Sequence, residues 1–110
     1  MIEKRLGKIE NVKFGIGGYQ DAMIGLSLTF SMDGSGVSDF ISGGWTMERP
    51  DHAKWSESDR EKQQAKLVQK ITILLNEAKV DDVSKLKNIP VEVVLDGNLL
   101  KEWRILKEVL

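Results

Sequence analysis

The chain has 110 residues, 41% apolar and 30% charged, with a formal net charge of -1 and acids and bases interleaved. That is one domain with a single core, too apolar for a disordered chain and without the basic excess that phosphate neutralisation by a nucleic-acid binder requires. The absence of cysteine excludes a disulfide framework, a thiolate metal site and a cysteine nucleophile and fits a reducing cytosol; no apolar run approaches the roughly 18 residues of a membrane span, and MIEKRLGKIE has no apolar core of a signal peptide.

Met1–Ile16 reads as a first strand. Val12, Phe14 and Ile16 share one face by the two-residue period; Ile2 and Leu6 have the same parity and Ile9 does not. Either a bulge near Glu10–Asn11 reconciles the halves or a short N-terminal strand stands apart. Gly15–Gly18 with Tyr19 reads as a turn needing positive φ, not as a phosphate-cradling loop, because a strand and not a helix follows it. In Ala22–Ser31, Ala22, Ile24, Leu26, Leu28 and Phe30 alternate with small or polar residues, the pattern of a half-buried antiparallel strand. Asp33-Gly34-Ser35-Gly36 supplies the next turn, and Val37–Ile41 a third strand with Val37, Asp39 and Ile41 on one side and Ser38 and Phe40 on the other.

Ser42–Trp55 reads as a long connection in which Trp45 and Trp55 fold down on the sheet or the helix start; His52 has no ligand-spaced neighbour and reads as a solvated loop residue. Ser56–Lys79 is the one long helical pattern. Ser56 with Asp59, and Ser58 with Glu61, form potential capping boxes. Leu67, Val68, Ile71, Leu74, Leu75 and Ala78 make one stripe, leaving Ile73 on the polar side as the expected subunit contact. Val83 and Leu86 point inward from a single turn before Pro90. Val91–Leu95 is a fourth strand with Val91, Val93 and Leu95 on one face, Asp96-Gly97-Asn98 a hairpin turn, and Leu99–Glu108 a fifth strand with Leu99, Trp103 and Ile105 on one face and Leu100, Arg104 and Leu106 on the other. The expected fold is α+β: a five-stranded antiparallel sheet in the order β-β-β-α-β-β with the helix packed on one face.

No serine sits in a nucleophile-elbow sequence, and no spacing of carboxylates or histidine matches a metal site or a catalytic pair. Binding without catalysis or cofactor is therefore expected. Phe40, Trp45 and Trp103 are flat groups that can stack on a base, Arg104 is a fixed cation suited to phosphate, and Asn98 offers a donor and an acceptor. Arg104 reads equally as the partner of Glu102 or Glu108 in a surface ion pair.

The strings Gly7-x-Ile9, Phe14-Gly15-Ile16-Gly17-Gly18, Gly25-Leu26-x-Leu28-x-Phe30, Gly36-x-x-Asp39-Phe40, Ala78-Lys79-Val80, Pro90-Val91-Glu92-Val93 and Trp103-Arg104-Ile105-Leu106 resemble small proteins encoded in phages and prophages, and among these the anti-Thoeris sponge family. The resemblance implies a homodimer or larger assembly in the bacterial cytoplasm that sequesters a cyclic ADP-ribose-type immune signal without cleaving it. Phe40, Asn98, Trp103 and Arg104 would form its binding site. The alternative is an anti-CRISPR or other anti-defence inhibitor that occludes a host defence protein; neither implies nucleic acid or membrane as a partner.

Overall fold

A computed structural model describes residues 1–110. Five strands, β1 (Ile2–Gly17), β2 (Met23–Met32), β3 (Ser35–Trp45), β4 (Pro90–Asp96) and β5 (Leu99–Ile105), form one antiparallel sheet in the order β3-β2-β1-β4-β5, with a single long helix α1 (Glu57–Ala78) between β3 and β4. The expected α+β sheet with one helix is thus what the chain forms. Its centre is β1, which pairs with β2 over Gly7–Gly17 and with β4 over Ile2–Lys8.

The register of β1 shifts between Ile9 and Asn11. This is the bulge alternative, and it has the consequence that parity alone obscured. Ile9 joins Val12, Phe14 and Ile16 on the inner face, opposite Phe30, Leu28, Leu26 and Ile24. Ile2 and Leu6 turn to the outer face, where both are exposed. A second shift, between Val94 and Leu95, corrects the reading of the last strand. Leu100, and not Leu99, joins Trp103 and Ile105 on the inner face, and β5 stops at Ile105 before a 3-10 turn over Lys107–Val109. β3 is longer than expected and runs on through Gly43, Gly44 and Trp45.

The sheet curls. In a flat sheet β3 and β5 would stand roughly 19 Å apart, four strand spacings of ~4.8 Å. Instead Trp103 Nε1 on β5 donates to Asp39 Oδ2 on β3 at 2.9 Å. The indole packs on Phe30, with ring centroids 4.7 Å apart, and Lys70 Nζ of α1 lies 5.5 Å from its ring centre. Inside the curl Ile9, Leu26, Leu28, Phe30, Val91, Val93, Leu86, Leu74 and Ile105 are all but completely buried.

α1 seats on β3 and reaches β5 and the turn Val83–Leu86. A side chain on Gly43 would meet Leu67 Cδ2 at 2.7 Å, so glycine there lets the helix approach. Leu67, Leu74 and Ala78 are buried, Ile71 and Leu75 half-buried, and Val68, expected on the stripe, is exposed because the helix does not close down on β1. Only the first of the two possible capping boxes forms: Asp59 N–H donates to Ser56 Oγ at 3.0 Å and Ser56 N–H to Asp59 Oδ2 at 2.8 Å. Trp55 lies beneath Arg60, 4.5 Å from guanidinium to ring centre, and Trp45 meets Tyr19 edge-on, so both tryptophans pack against neighbouring elements; His52 is exposed in the loop.

The capping box carries a first prediction. Ser56→Ala is expected to lower the unfolding free energy by about 1 kcal/mol, read from a urea denaturation midpoint. The hydrogen bonds from Ser56 hold the Asp59 carboxyl below its ordinary range. A carboxyl depressed in the folded state stabilises above its unfolded pKa and loses that contribution as pH falls through the folded one. The protection of the Asp59–Glu61 amides, taken as exchange relative to the intrinsic rate at each pH, should therefore fall below about pH 4 in the wild type, and not in Asp59→Asn, which has no carboxyl to protonate. An equal fall in both would remove the Asp59 carboxylate as its cause.

Candidate functional site

The four side chains named from the sequence do not converge. Trp103 points inward and is committed to Asp39 and Phe30. Arg104, its neighbour on the strand, points outward. Its Nη1 is 3.0 Å from Glu108 Oε1 and its Nε 3.2 Å from Glu92 Oε1. Those hydrogen bonds, first the one donated to Glu108 and then the one donated to Glu92, hold the guanidinium above its ordinary pKa, and Glu108 is held below its own, first by its backbone N–H and then by Arg104. Of the two ion-pair partners anticipated for Arg104, Glu108 is used and Glu102 is not; Glu92 takes the second place. The cleft beside Arg104, about 230 Å³, is lined by Lys4, Glu92, Val94, Glu102, Trp103 and Arg104. Its two cations face at least as many carboxylates, so an incoming phosphate would have to displace Arg104 from partners it already has.

Phe40 is on the outer face of β3, on the opposite edge of the sheet from Arg104. Its ring lies over Gly17, Gly18 and Gly25: a Cβ on these residues would stand 3.1 Å, 2.7 Å and 2.5 Å from the nearest ring atom. The sequence Phe-Gly-Ile-Gly-Gly therefore serves as the bed of an aromatic ring as well as a turn. Gly18 takes φ 71° there, followed by the 3-10 turn Tyr19–Asp21.

Asn98 lies in the β4–β5 turn and belongs to a different constellation. At this end of the molecule the turns Asp33–Gly34 and Gly97–Asn98 flank the start of β1, and the mouth of the curled sheet opens between them. The cleft measures about 370 Å³ and is lined by Glu3, Arg5, Met32, Ser35, Gly36, Val37, Leu95, Gly97 and Asn98. Arg5 is its cation. Nη1 donates to Ser35 Oγ at 2.7 Å and Nη2 to the Asp33 carbonyl at 2.6 Å, while Nε is 3.5 Å from Glu3 Oε1. Met32, Val37 and Leu95 give the cleft an apolar floor. Arg5 and Ser35 were not singled out from the sequence. Arg5 has the parity of Ile9, so once the bulge at Glu10 is accepted it must face inward with it, and an inward arginine at the end of a strand is a signal.

No family model matches the chain, and comparison with curated proteins and with solved structures returned no match. No group of three or more side chains able to hold a metal ion gathers anywhere, and no helix is long and apolar enough to cross a membrane.

Proposed function

We propose that this protein is a non-catalytic binder of a small nucleotide-type ligand, held at the mouth of the curled sheet. The observation that carries the reading is the convergence of Arg5, Ser35 and Asn98 around the apolar floor of Met32, Val37 and Leu95. A concave mouth with a few polar groups above an apolar floor is a common form of small-molecule site, and the volume is within the usual range for one. In the bound state Ser35 Oγ and the Asp33 carbonyl would continue to hold the terminal nitrogens of Arg5, while Glu3, exposed and 3.5 Å from Nε, would swing out and leave the Nε edge to a phosphate oxygen. Asn98 would offer its amide to a base or a ribose hydroxyl. Cyclic ADP-ribose, the ligand that the sequence resemblance implies, has these groups, and sequestration needs only tight binding and abundance.

Calorimetry with cyclic ADP-ribose isomers tests it. Binding is expected in the wild type and weakened about ten- to a hundredfold in Arg5→Ala, the equivalent of one charge-assisted hydrogen bond. Asn98→Ala should lose less, and Arg104→Ala should bind as the wild type does. An Arg104→Ala variant that loses binding while Arg5→Ala keeps it moves the site to the other cleft. No heat at about 100 μM ligand sinks nucleotide binding and leaves occlusion of a defence protein as the expectation to pursue.

A further inference from the structure

One stretch of the central strand has only one neighbour. On the side of β4, Ile9 N–H donates to the Ile89 carbonyl at 3.0 Å and the Ile9 carbonyl accepts from Asn88 N–H at 2.7 Å. Beyond Ile9 the pairing on that side ends, while β2 continues along the other side to Gly17. In an antiparallel ladder the main-chain groups alternate between the two sides. The N–H and C=O of Val12, Phe14 and Ile16 therefore face the open edge. The Ile16 carbonyl shows it directly, since Lys13 Nζ reaches round to it at 2.9 Å. The same three side chains are on the inner face, next to the space that α1 leaves uncovered, and Phe14 and Ile16 remain 54% and 45% exposed. Open strand edges with apolar side chains are pairing templates, and a lysine folded over one is a common guard.

We propose that this edge pairs with the same edge of a second copy, antiparallel about a two-fold axis at Phe14. Identical strands paired antiparallel satisfy the symmetry of a closed dimer. An axis at Phe14 sets Val12 opposite Ile16 and Phe14 opposite Phe14, so all three open residues of each copy exchange main-chain hydrogen bonds. An axis at Lys13 would oppose the two lysines, which is repulsive, and one at Gly15 would leave Val12 out. The axis at Phe14 also brings charges together. The far end of one copy's edge is the tip Tyr19–Asp21, and the near end of the other's is the segment before Asn88. Asp21 of one copy then meets Lys87 of the other. Both are exposed, and neither has an ion-pair partner within the chain. Pairing transfers the Ile16 carbonyl from Lys13 to a main-chain amide of the second copy, so Lys13 competes with the dimer. A short strand and its side chains cover less than the roughly 800 Å² per partner of a standard interface, and the dimer is accordingly weak.

Sedimentation equilibrium of the full chain from about 1 to 500 μM tests this. The wild type should pass from monomer to dimer within that range. Phe14→Asp, at an exposed position, should remain monomeric with an unchanged melting temperature. Lys13→Ala should dimerise at lower concentration. Asp21→Lys should raise the dissociation constant about tenfold, and the exchange Asp21→Lys with Lys87→Asp should restore it. A wild type that is monomeric throughout, or a dimer that survives Phe14→Asp and is broken by Ile73→Glu on the helix, overturns the proposal.

Discussion

Phe30→Ala is expected to destabilise the fold by about 3–6 kcal/mol. Phe30 is completely buried between the two sides of the curl, and its ring packs on Trp103 at 4.7 Å. Truncating a buried phenylalanine costs about 3–5 kcal/mol through lost transfer energy and the cavity left behind. Loss of the aromatic pair adds about 0.5–1.5 kcal/mol. Against a total stability of about 5–15 kcal/mol for a domain of this kind, that is from about a quarter to all of what holds it together. The effect should also spread. Trp103 is positioned on one side by Phe30 and on the other by Asp39, so the cavity loosens the hydrogen bond that joins β3 to β5. Urea denaturation followed by tryptophan fluorescence is the measurement. Phe30→Leu, which keeps much of the volume, should cost about 1–2 kcal/mol. If Phe30→Ala costs less than about 2 kcal/mol, the curl is not held by this contact.

Gly25→Ala should be the most damaging addition of a single methyl group on the outer face. The new Cβ would stand 2.5 Å from the Ile41 carbonyl oxygen and 2.5 Å from Phe40 Cζ. The side chain of Phe40 can swing away, but the carbonyl belongs to the neighbouring strand and can retreat only if β2 and β3 part. A cost of about 1–3 kcal/mol follows from such overpacking. The internal control is Gly15, the residue directly opposite Gly25 across the β1–β2 ladder. A Cβ there meets nothing nearer than the flexible end of Lys13 at 3.4 Å. Gly15→Ala should be neutral, or stabilising by up to about 1 kcal/mol through the unfolded chain. The double variant Gly25→Ala/Phe40→Ala divides the two contacts. If it is no less stable than Phe40→Ala alone, the ring is the whole obstacle and the carbonyl contact is relieved at little cost. Thermal melts of the four proteins decide it.

The parts of this fold that depend on neighbours in sequence were legible in the sequence. Alternation in Met23–Met32 and Pro90–Asp96 places the right residues inward, and Val37, Asp39 and Ile41 face in together as their parity requires. Ser56 and Asp59 mark the start of the helix from three residues apart. The faces of β1 and β5 were harder, because each contains a bulge. In β1 the mismatch between Ile9 and Val12 announces it. In β5 both faces are mixed, and only the pairing with β4 reveals that Lys101 is the extra residue.

The candidate site was less legible. Arg104 and Trp103 have the chemistry of a nucleotide site, yet adjacent strand residues point to opposite faces, and Arg104 meets Glu92 only because β4 lies beside β5. Asn98 shares its cleft with Arg5, from the other end of the chain. Composition and local pattern by themselves determined an α+β domain with one capped amphipathic helix, short turns and inward rows of apolar side chains. These follow from backbone sterics, capping and hydrophobic period, which act over a few residues. Only the tertiary structure decided that β1 is the centre and has an open end, that the sheet curls until Trp103 reaches Asp39, and that Arg5 lines the mouth. Those outcomes turn on strand order and twist, which bring together residues 64 positions apart and which no local period encodes.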